Sequence, residues 1–426
     1  MNRRDFVKTA GLALGGSLGL GSGPFALAQG PRSQPPRSSD TTRKKVAAVV
    51  TVYTERSHAY HIVGRFLHGF MQHGVHHQPP FEVVSLYADQ LPRRDLSREL
   101  AEMFGFRHCQ SVEEALTVGG DSLAIDAVLL IGEHGDYPRN EKGQQLYPRH
   151  RLFSEIVAVF RKTGHSVPVF NDKHFSYSWE QAAEMVGWSR ELGFPLVAGS
   201  SLPHTWRLPE LELPLETPIE DALVAGYGGN EAYGFHALET LQCMIERRKG
   251  GETGVKAVTL LEGDAVWKAG DDGRWSWDLL EHALGRSHTL NIGDVRYNVK
   301  RPALFLIEYR DGLRGAVLML NDHVADFTFA AQIKGQVKPV SALFYLPDPP
   351  GANYFDCLCL GIERTFTTGK PDWPTERTLL TTGILAAGMD SAFDGNQRLE
   401  TPHLDVAYHA PAESHCCRGD VGEPVE

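Results

Sequence analysis

Apolar and polar positions fall into alternating blocks along the first half of the chain. Lys45 to Val52 (KVAAVVTV) is a continuous apolar, β-branched run, the pattern of a strand buried on both faces. From His58 to His73 apolar residues recur at helical spacing (Ile62, Val63, Phe66, Phe70). A second strand is predicted over Phe81 to Tyr87, then helices over Asp95 to Phe104 and Ser111 to Leu116. In the latter, Ser111 is the N-cap and Glu114 closes a capping box. Ile125 to Ile131 is another apolar strand, Leu152 to Thr163 a helix and Val167 to Phe170 a strand. Trp179 to Leu192 reads as a helix and Phe194 to Ala198 as one more strand. Strands and helices alternating over short connections predict a parallel sheet covered on both faces. Such sheets bind ligands at the carboxyl ends of their strands.

The second half changes rhythm. A helix from Tyr233 to Arg247 precedes strands over Val255 to Glu262, Ala303 to Tyr309, Arg314 to Leu320, Ala325 to Gln332 and Val340 to Tyr345. Asp311-Gly312 reads as a hairpin turn between two of them. Helices over Tyr354 to Thr368 and Pro374 to Ala392 close the pattern. The expected fold class is α/β. A Rossmann-like parallel sheet domain spans 44–205, and an α+β domain with a largely antiparallel open sheet and helices on one face spans 206–408. Residues 409–426 read as a flexible tail.

The chain opens Asn2-Arg3-Arg4-Asp5-Phe6-Val7-Lys8, followed by an apolar, glycine-rich stretch from Ala10 to about Gly23 and by Ala26-Leu27-Ala28. This is the pattern of a twin-arginine signal peptide over 1–28, cut before Gln29, with a polar linker over 29–43. It predicts passage through the twin-arginine translocon and a periplasmic or otherwise extracytoplasmic location. Roughly 380 residues remain, more than one core usually serves. A net charge of −11 and the lack of a basic stripe with interleaved aromatics exclude nucleic acid as a partner. The six cysteines include no CxxC pair, and folding in a reducing cytoplasm before export argues against an obligatory disulfide framework. Cys357 and Cys359 are read as strand neighbours or separately buried helix residues, and Cys416-Cys417 as part of a polar tail.

Polar residues gather just after the predicted strands. Thr54, Glu55, Arg56, Ser57 and His58 follow the first, Asp89 the second, and Glu133, His134, Asp136 and Tyr137 the IDAVLLI strand. Asn171, Asp172, Lys173 and His174 follow the VPVF strand. One rim of the sheet therefore carries them all.

Several landmarks give the chain a resemblance to the Gfo/Idh/MocA oxidoreductases. Asp89 stands after the second strand, Asp126-Ala127-Val128 matches an Asp-Ala-Val strand, and Asn171-Asp172-Lys173-His174 lies in the place of a Glu-Lys-Pro motif. Ala232-Tyr233-Gly234-Phe235-His236 fits an Asp-x-Gly-x-His helix start. The resemblance implies a sugar or polyol substrate and tightly held NAD or NADP. It also implies Lys173 as the cation at the substrate hydroxyl and His236 as general base, with Glu231 standing beside the missing aspartate. Thr54, Arg56, Ser57, His58, Asp89, Glu133, His134 and Asp172 would line the cofactor. The family's open sheet face makes a homo-oligomer an expectation.

Three positions depart from that pattern. Thr51 to Arg56 contains no glycine where the phosphate loop belongs, Ala232 replaces the aspartate and His174 the proline. Glu133, His134, Asp136, Asp172, His174, Glu231 and His236 are also metal-ligand types. A divalent metal with lyase or hydrolase chemistry is therefore one alternative. An NAD-dependent glycosidase and a non-catalytic carbohydrate-binding protein are the others.

Overall fold

The structure, a computed structural model, describes residues 43–72, 74–347 and 351–419. The expected signal peptide, and all but the last residue of the expected linker, lie outside the described residues. In chain order the first half comprises β1 (Lys44–Val50), α1 (His58–His68), a small ribbon of β2 (Phe70–Gln72) and β3 (Val75–His77), and β4 (Phe81–Ala88). Next come α2 (Ser97–Phe104), β5 (Arg107–Cys109), α3 (Val112–Thr117), β6 (Ala127–Ile131), α4 (Arg149–Thr163), β7 (Val169–Asp172), α5 (Trp179–Leu192) and β8 (Leu196–Gly199).

Six of these strands pair in parallel in the order β5-β4-β1-β6-β7-β8. This is the doubly wound order of dinucleotide-binding sheets. The pleat of β1 accounts for its two-sided burial. Val46, Ala48 and Val50 pack with Ile62, Val63 and Phe66 of α1, while Ala47 and Val49 face the core beneath α3, α4 and α5. Each fully buried Val, Leu or Phe contributes roughly 1.5–3 kcal/mol, so a one-residue slip of β1 would be costly. Because the chain leaves β1 first toward β4 and later toward β6, a crevice opens at the carboxyl ends of β1 and β6. Ser57, Ser111 and Ser178 cap α1, α3 and α5 as N-caps, each accepting from a first-turn N–H. Glu114 reaches back to Gln110 N (2.8 Å), one residue beyond the capping box expected at Ser111.

The second half comprises β9 (Trp206–Leu208), β10 (Ile219–Gly226), α6 (Ala232–Ile245), β11 (Val255–Glu262), α7 (Asp264–Asp271), α8 (Trp277–Leu284) and α9 (Val295–Asn298). It continues with β12 (Ala303–Tyr309), β13 (Arg314–Met319), β14 (Phe327–Ile333), β15 (Val340–Tyr345), α10 (Tyr354–Thr368), α11 (Thr375–Phe393) and β16 (Leu399–Glu400). The strands form one open sheet, ordered β16-β11-β12-β13-β10-β14-β15-β9, antiparallel except for the β10–β13 pair. The expected hairpin joins β12 to β13.

Four expectations need correction. The strand expected to end at Phe170 runs two residues further, so Asn171, paired on both sides, and Asp172, paired with Gly199, are buried members of β7. Helices cover both faces of the second sheet: α6 and α11 on one, and α7 and α8, with Trp267, Trp275, Leu279 and Leu280, on the other. The assignment of 206–408 to a separate domain also fails for α10, whose Phe355, Leu358, Cys359 and Ile362 pack with α1 in the core of the first sheet. Finally, residues 409–419 are docked rather than flexible. Arg247 donates to the carbonyls of Pro411 (2.8 Å) and Ala412 (2.9 Å), Cys417 N donates to His204 O (2.8 Å), and Cys357 of α10 is disulfide-bonded to Cys417.

That disulfide closes a loop of 60 residues. Cys417→Ser is expected to lower unfolding free energy by roughly 2–4 kcal/mol and to make 409–419 the first segment cut in limited proteolysis. Unchanged cleavage would mean that the polar contacts alone hold the segment. Among the described residues no helix is long and apolar enough to cross a membrane.

Candidate active site

The end of β7 delivers three consecutive side chains to three different helices. Asp172 bonds His58 Nδ1 on α1 (2.7 Å), Lys173 Nζ bonds His236 Nε2 on α6 (2.7 Å), and His174 Nε2 meets Arg149 Nη1 on α4 (3.1 Å). The backbone permits this fan because Lys173 adopts φ 67, the left-handed region, which costs a non-glycine residue roughly 1–3 kcal/mol. Its N–H is held by Gly199 O at 2.9 Å. Gly199 itself must lack a Cβ, since one would stand 2.5 Å from Glu239 Oε2.

Glu133, first residue but one after β6, joins these branches. Its carboxylate is paired with Arg149, which is wholly buried, and lies 3.6 Å from Lys173 Nζ. Thr51 Oγ1 donates to Glu133 O (2.7 Å), tying the end of β1 to the end of β6. Burial alone would raise the Glu133 pKa, but Lys173 and Arg149 outweigh it and hold the carboxyl well below its usual range. Arg149 was missed in the sequence. A usable signal was its place in a helix start, Arg149-His150-Arg151, with no acid in the first turn, where cations oppose the helix dipole.

The other expected residues sort as follows. His134, also at positive φ (71), turns its ring toward the start of α1, with Nδ1 3.5 Å from His58 N and the two rings 5.1 Å apart. Ser57 accepts from Thr54 N and Tyr60 N, both at 3.2 Å, closing the β1–α1 turn on itself. Arg56 is exposed beside Glu55. Asp89 is committed elsewhere, accepting from Tyr87 (3.0 Å), Tyr137 (2.7 Å) and Arg151. Burial works against its charge, but the bonds from Tyr137 and Arg151 keep its pKa lowered. Glu231, expected beside the catalytic pair, instead caps the peptide N–H of Gln145 at 2.8 Å, and burial raises its pKa. The carboxylate near Lys173 is Glu133, and at the family's aspartate position Lys173 Nζ meets only the carbonyl of Ala232 (3.4 Å). Among the described residues no three His, Cys, Asp or Glu side chains converge as metal ligands. A separate cavity of about 610 Å³ lies between α1 and α2, lined by Tyr53, Tyr60, His61, Arg65, Leu96 and Leu100, away from Lys173 and His236.

The histidines set a pH dependence. Burial, then the Arg65 charge, pushes His61 down to about 4, and burial followed by the His58 charge does the same to His134. His174, His204 and His236 are lowered further, again chiefly by burial. Each is neutral in the folded state over a range where its unfolded counterpart is protonated. Stability is therefore lost as pH falls from about 6.5 toward 4. Glu239, raised to about 7, and Asp221, Glu231 and Asp356, also raised, all mainly by burial, oppose this in part. Thermal unfolding across that window is expected to show a steady fall in Tm with acidification. A flat profile would contradict the buried, neutral histidines.

No protein-family model matches the chain, and no curated protein matches it by sequence. Solved structures do match by fold. An oxidoreductase from Agrobacterium radiobacter in complex with NAD+, L-tartaric acid and magnesium superposes with a TM-score of 0.52 at 12% identity, covering 84% of this chain and 98% of that one. GenD2 of gentamicin A biosynthesis, in complex with NAD, gives 0.51 at 16% identity over 86% and 99%. The myo-inositol dehydrogenase of Lactobacillus casei, in complex with NAD(H) and myo-inositol, gives 0.51 at 11% over 84% and 96%. The chain shares the fold of these proteins. At the carboxyl ends of β1 and β6 stand Glu133, His134 and His58, with Lys173 Nζ 3.6 Å from Glu133 and bonded to His236 Nε2.

Proposed function

We propose that this chain is an exported, Gfo/Idh/MocA-type oxidoreductase that oxidises a sugar or polyol hydroxyl with tightly held NAD or NADP. We further place it in the periplasm after passage through the twin-arginine translocon. The observation that carries the catalytic reading is the ammonium of Lys173. It is fixed 2.7 Å from His236 Nε2 and 3.6 Å from Glu133 at the strand ends. A desolvated cation there stabilises the alkoxide that develops as a carbinol carbon loses hydride.

The fit of a dinucleotide differs between its two ends. At the reacting end Lys173, His236 and Glu133 suit a nicotinamide, which would supply the hydride acceptor. At the phosphate end, Thr54 and Arg56 would meet the anion in place of a glycine loop, whereas Ser57 and the N–H groups of His58 and Tyr60 are already hydrogen-bonded. His134 would border the anion, while His58 and Asp172 are bonded to each other and Asp89 to its own neighbours.

The test is oxidation of D-glucose, D-xylose, glycerol and myo-inositol by the purified exported chain, with and without added NAD+ or NADP+, followed by nicotinamide absorbance. Turnover of one of these substrates supports the reading. No turnover, together with no nucleotide uptake, overturns it. The glycine-free turn favours a second reading, a carbohydrate-binding protein without redox chemistry. In that case the double variant Lys173→Ala/His236→Ala would leave sugar binding intact.

A further inference from the structure

The expected base, His236, is poorly placed to accept a proton. An ammonium can only donate hydrogen bonds, so Lys173 occupies the acceptor lone pair at His236 Nε2 (2.7 Å). The ring proton then sits on Nδ1, which is buried with no partner in the described structure. Both nitrogens are thereby committed. The role left to His236 is to orient Lys173.

His58 has the complementary arrangement. Its Nδ1 meets Asp172 Oδ2 at 2.7 Å, and the Asp172 side chain is 1% exposed. The second carboxylate oxygen, Oδ1, has no partner, so His58 is the principal neighbour of that charge. The ring is fixed by an edge contact with Phe355 of α10 (5.2 Å) and by His134 (5.1 Å). Its side chain keeps 16% exposure, leaving a route from the crevice to water. A carboxylate behind one imidazole nitrogen fixes the tautomer, frees the other nitrogen to accept, and stabilises the imidazolium that results. Asp172 and Lys173 are neighbours in sequence, so the same strand end carries both the partner of His58 and the cation.

We propose that His58, positioned by Asp172, is the proton acceptor of this site, and that His236 is the positioning partner of Lys173. The proposal rests on the oxidoreductase reading. In the proton half of that reaction the substrate O–H bond breaks and an N–H bond forms at His58 Nε2. The electron pair stays on oxygen to become the carbonyl, and the Asp172 carboxylate balances the imidazolium until the proton passes to water. The hydride half belongs to the oxidised dinucleotide that the reading supplies.

The experiment uses the full exported chain and whichever of the four test substrates the wild type turns over. His58→Ala is expected to lower kcat by roughly 10²–10⁴-fold while KM stays within about threefold, and added imidazole should restore part of the rate. Asp172→Asn should lower kcat in the same way, and Asp172→Glu should recover some of it. His236→Ala should lower the rate without imidazole rescue. A wild type that is active while His58→Ala retains its kcat overturns this assignment and leaves the oxidoreductase reading standing. Imidazole rescue of His236→Ala in place of His58→Ala also overturns it. A wild type inactive on every substrate, with no nucleotide bound, overturns the oxidoreductase reading and this assignment with it.

Discussion

Lys173→Gln is expected to lower kcat/KM for sugar or polyol oxidation by roughly 10²–10³-fold, the usual cost of losing one charge-stabilising donor. Other nearby cations are poorly placed to replace it, because the Arg149 guanidinium is already engaged by Glu133 and His174. Lys173→Arg should fail almost as badly. The planar guanidinium is longer and cannot reproduce a point charge held between His236 Nε2 and Glu133. Steady-state kinetics of both variants, with circular dichroism to show that they fold, checks the expectation. Retained activity in either would remove the cation from the chemistry.

The second large effect is on stability. Arg149 is wholly buried, and Arg149→Met leaves Glu133, with a side chain 8% exposed, facing Lys173 alone. Breaking a buried pair from one side costs roughly 3–5 kcal/mol, because the remaining charge is stranded. Arg149 also packs over Gly132, where any Cβ would stand 2.5 Å from its Cγ, so the guanidinium stem is part of the fit. The double variant Arg149→Met/Glu133→Gln should recover a good part of the loss. Urea unfolding of the wild type, both singles and the double measures this as a coupling energy. Additive losses would mean that the pair contributes little.

The parallel sheet was legible because its strands are nearly pure apolar runs. VAAVV and AVLLI admit no solvent-facing position, and Ser111 announces the helix that follows it. By contrast, β10 was hidden. Its IEDALVAG sequence has two acids among its first three residues and ends in small residues, yet it lies near the middle of the second sheet. The short helices α7 and α8 were likewise not read from the sequence. In the site, strand-end placement pointed to Lys173 and Glu133 and the family resemblance to His236, and the fold brings all three together. The partnership of His58 with Asp172 spans 114 residues, and no local pattern encodes it. Glu231 misled for a related reason. Adjacency in sequence to a family position did not fix its direction, and a free peptide N–H at Gln145 claimed its carboxylate.

The central claim is that the crevice beside β1 and β6 holds a nicotinamide dinucleotide next to Lys173 and His236. Native mass spectrometry of the exported chain, gently purified and then titrated with NAD+ and NADP+, tests it most directly. One dinucleotide per chain, retained or taken up and weakened by Lys173→Gln, is the predicted result. A chain that carries no dinucleotide and takes up none on titration would contradict it.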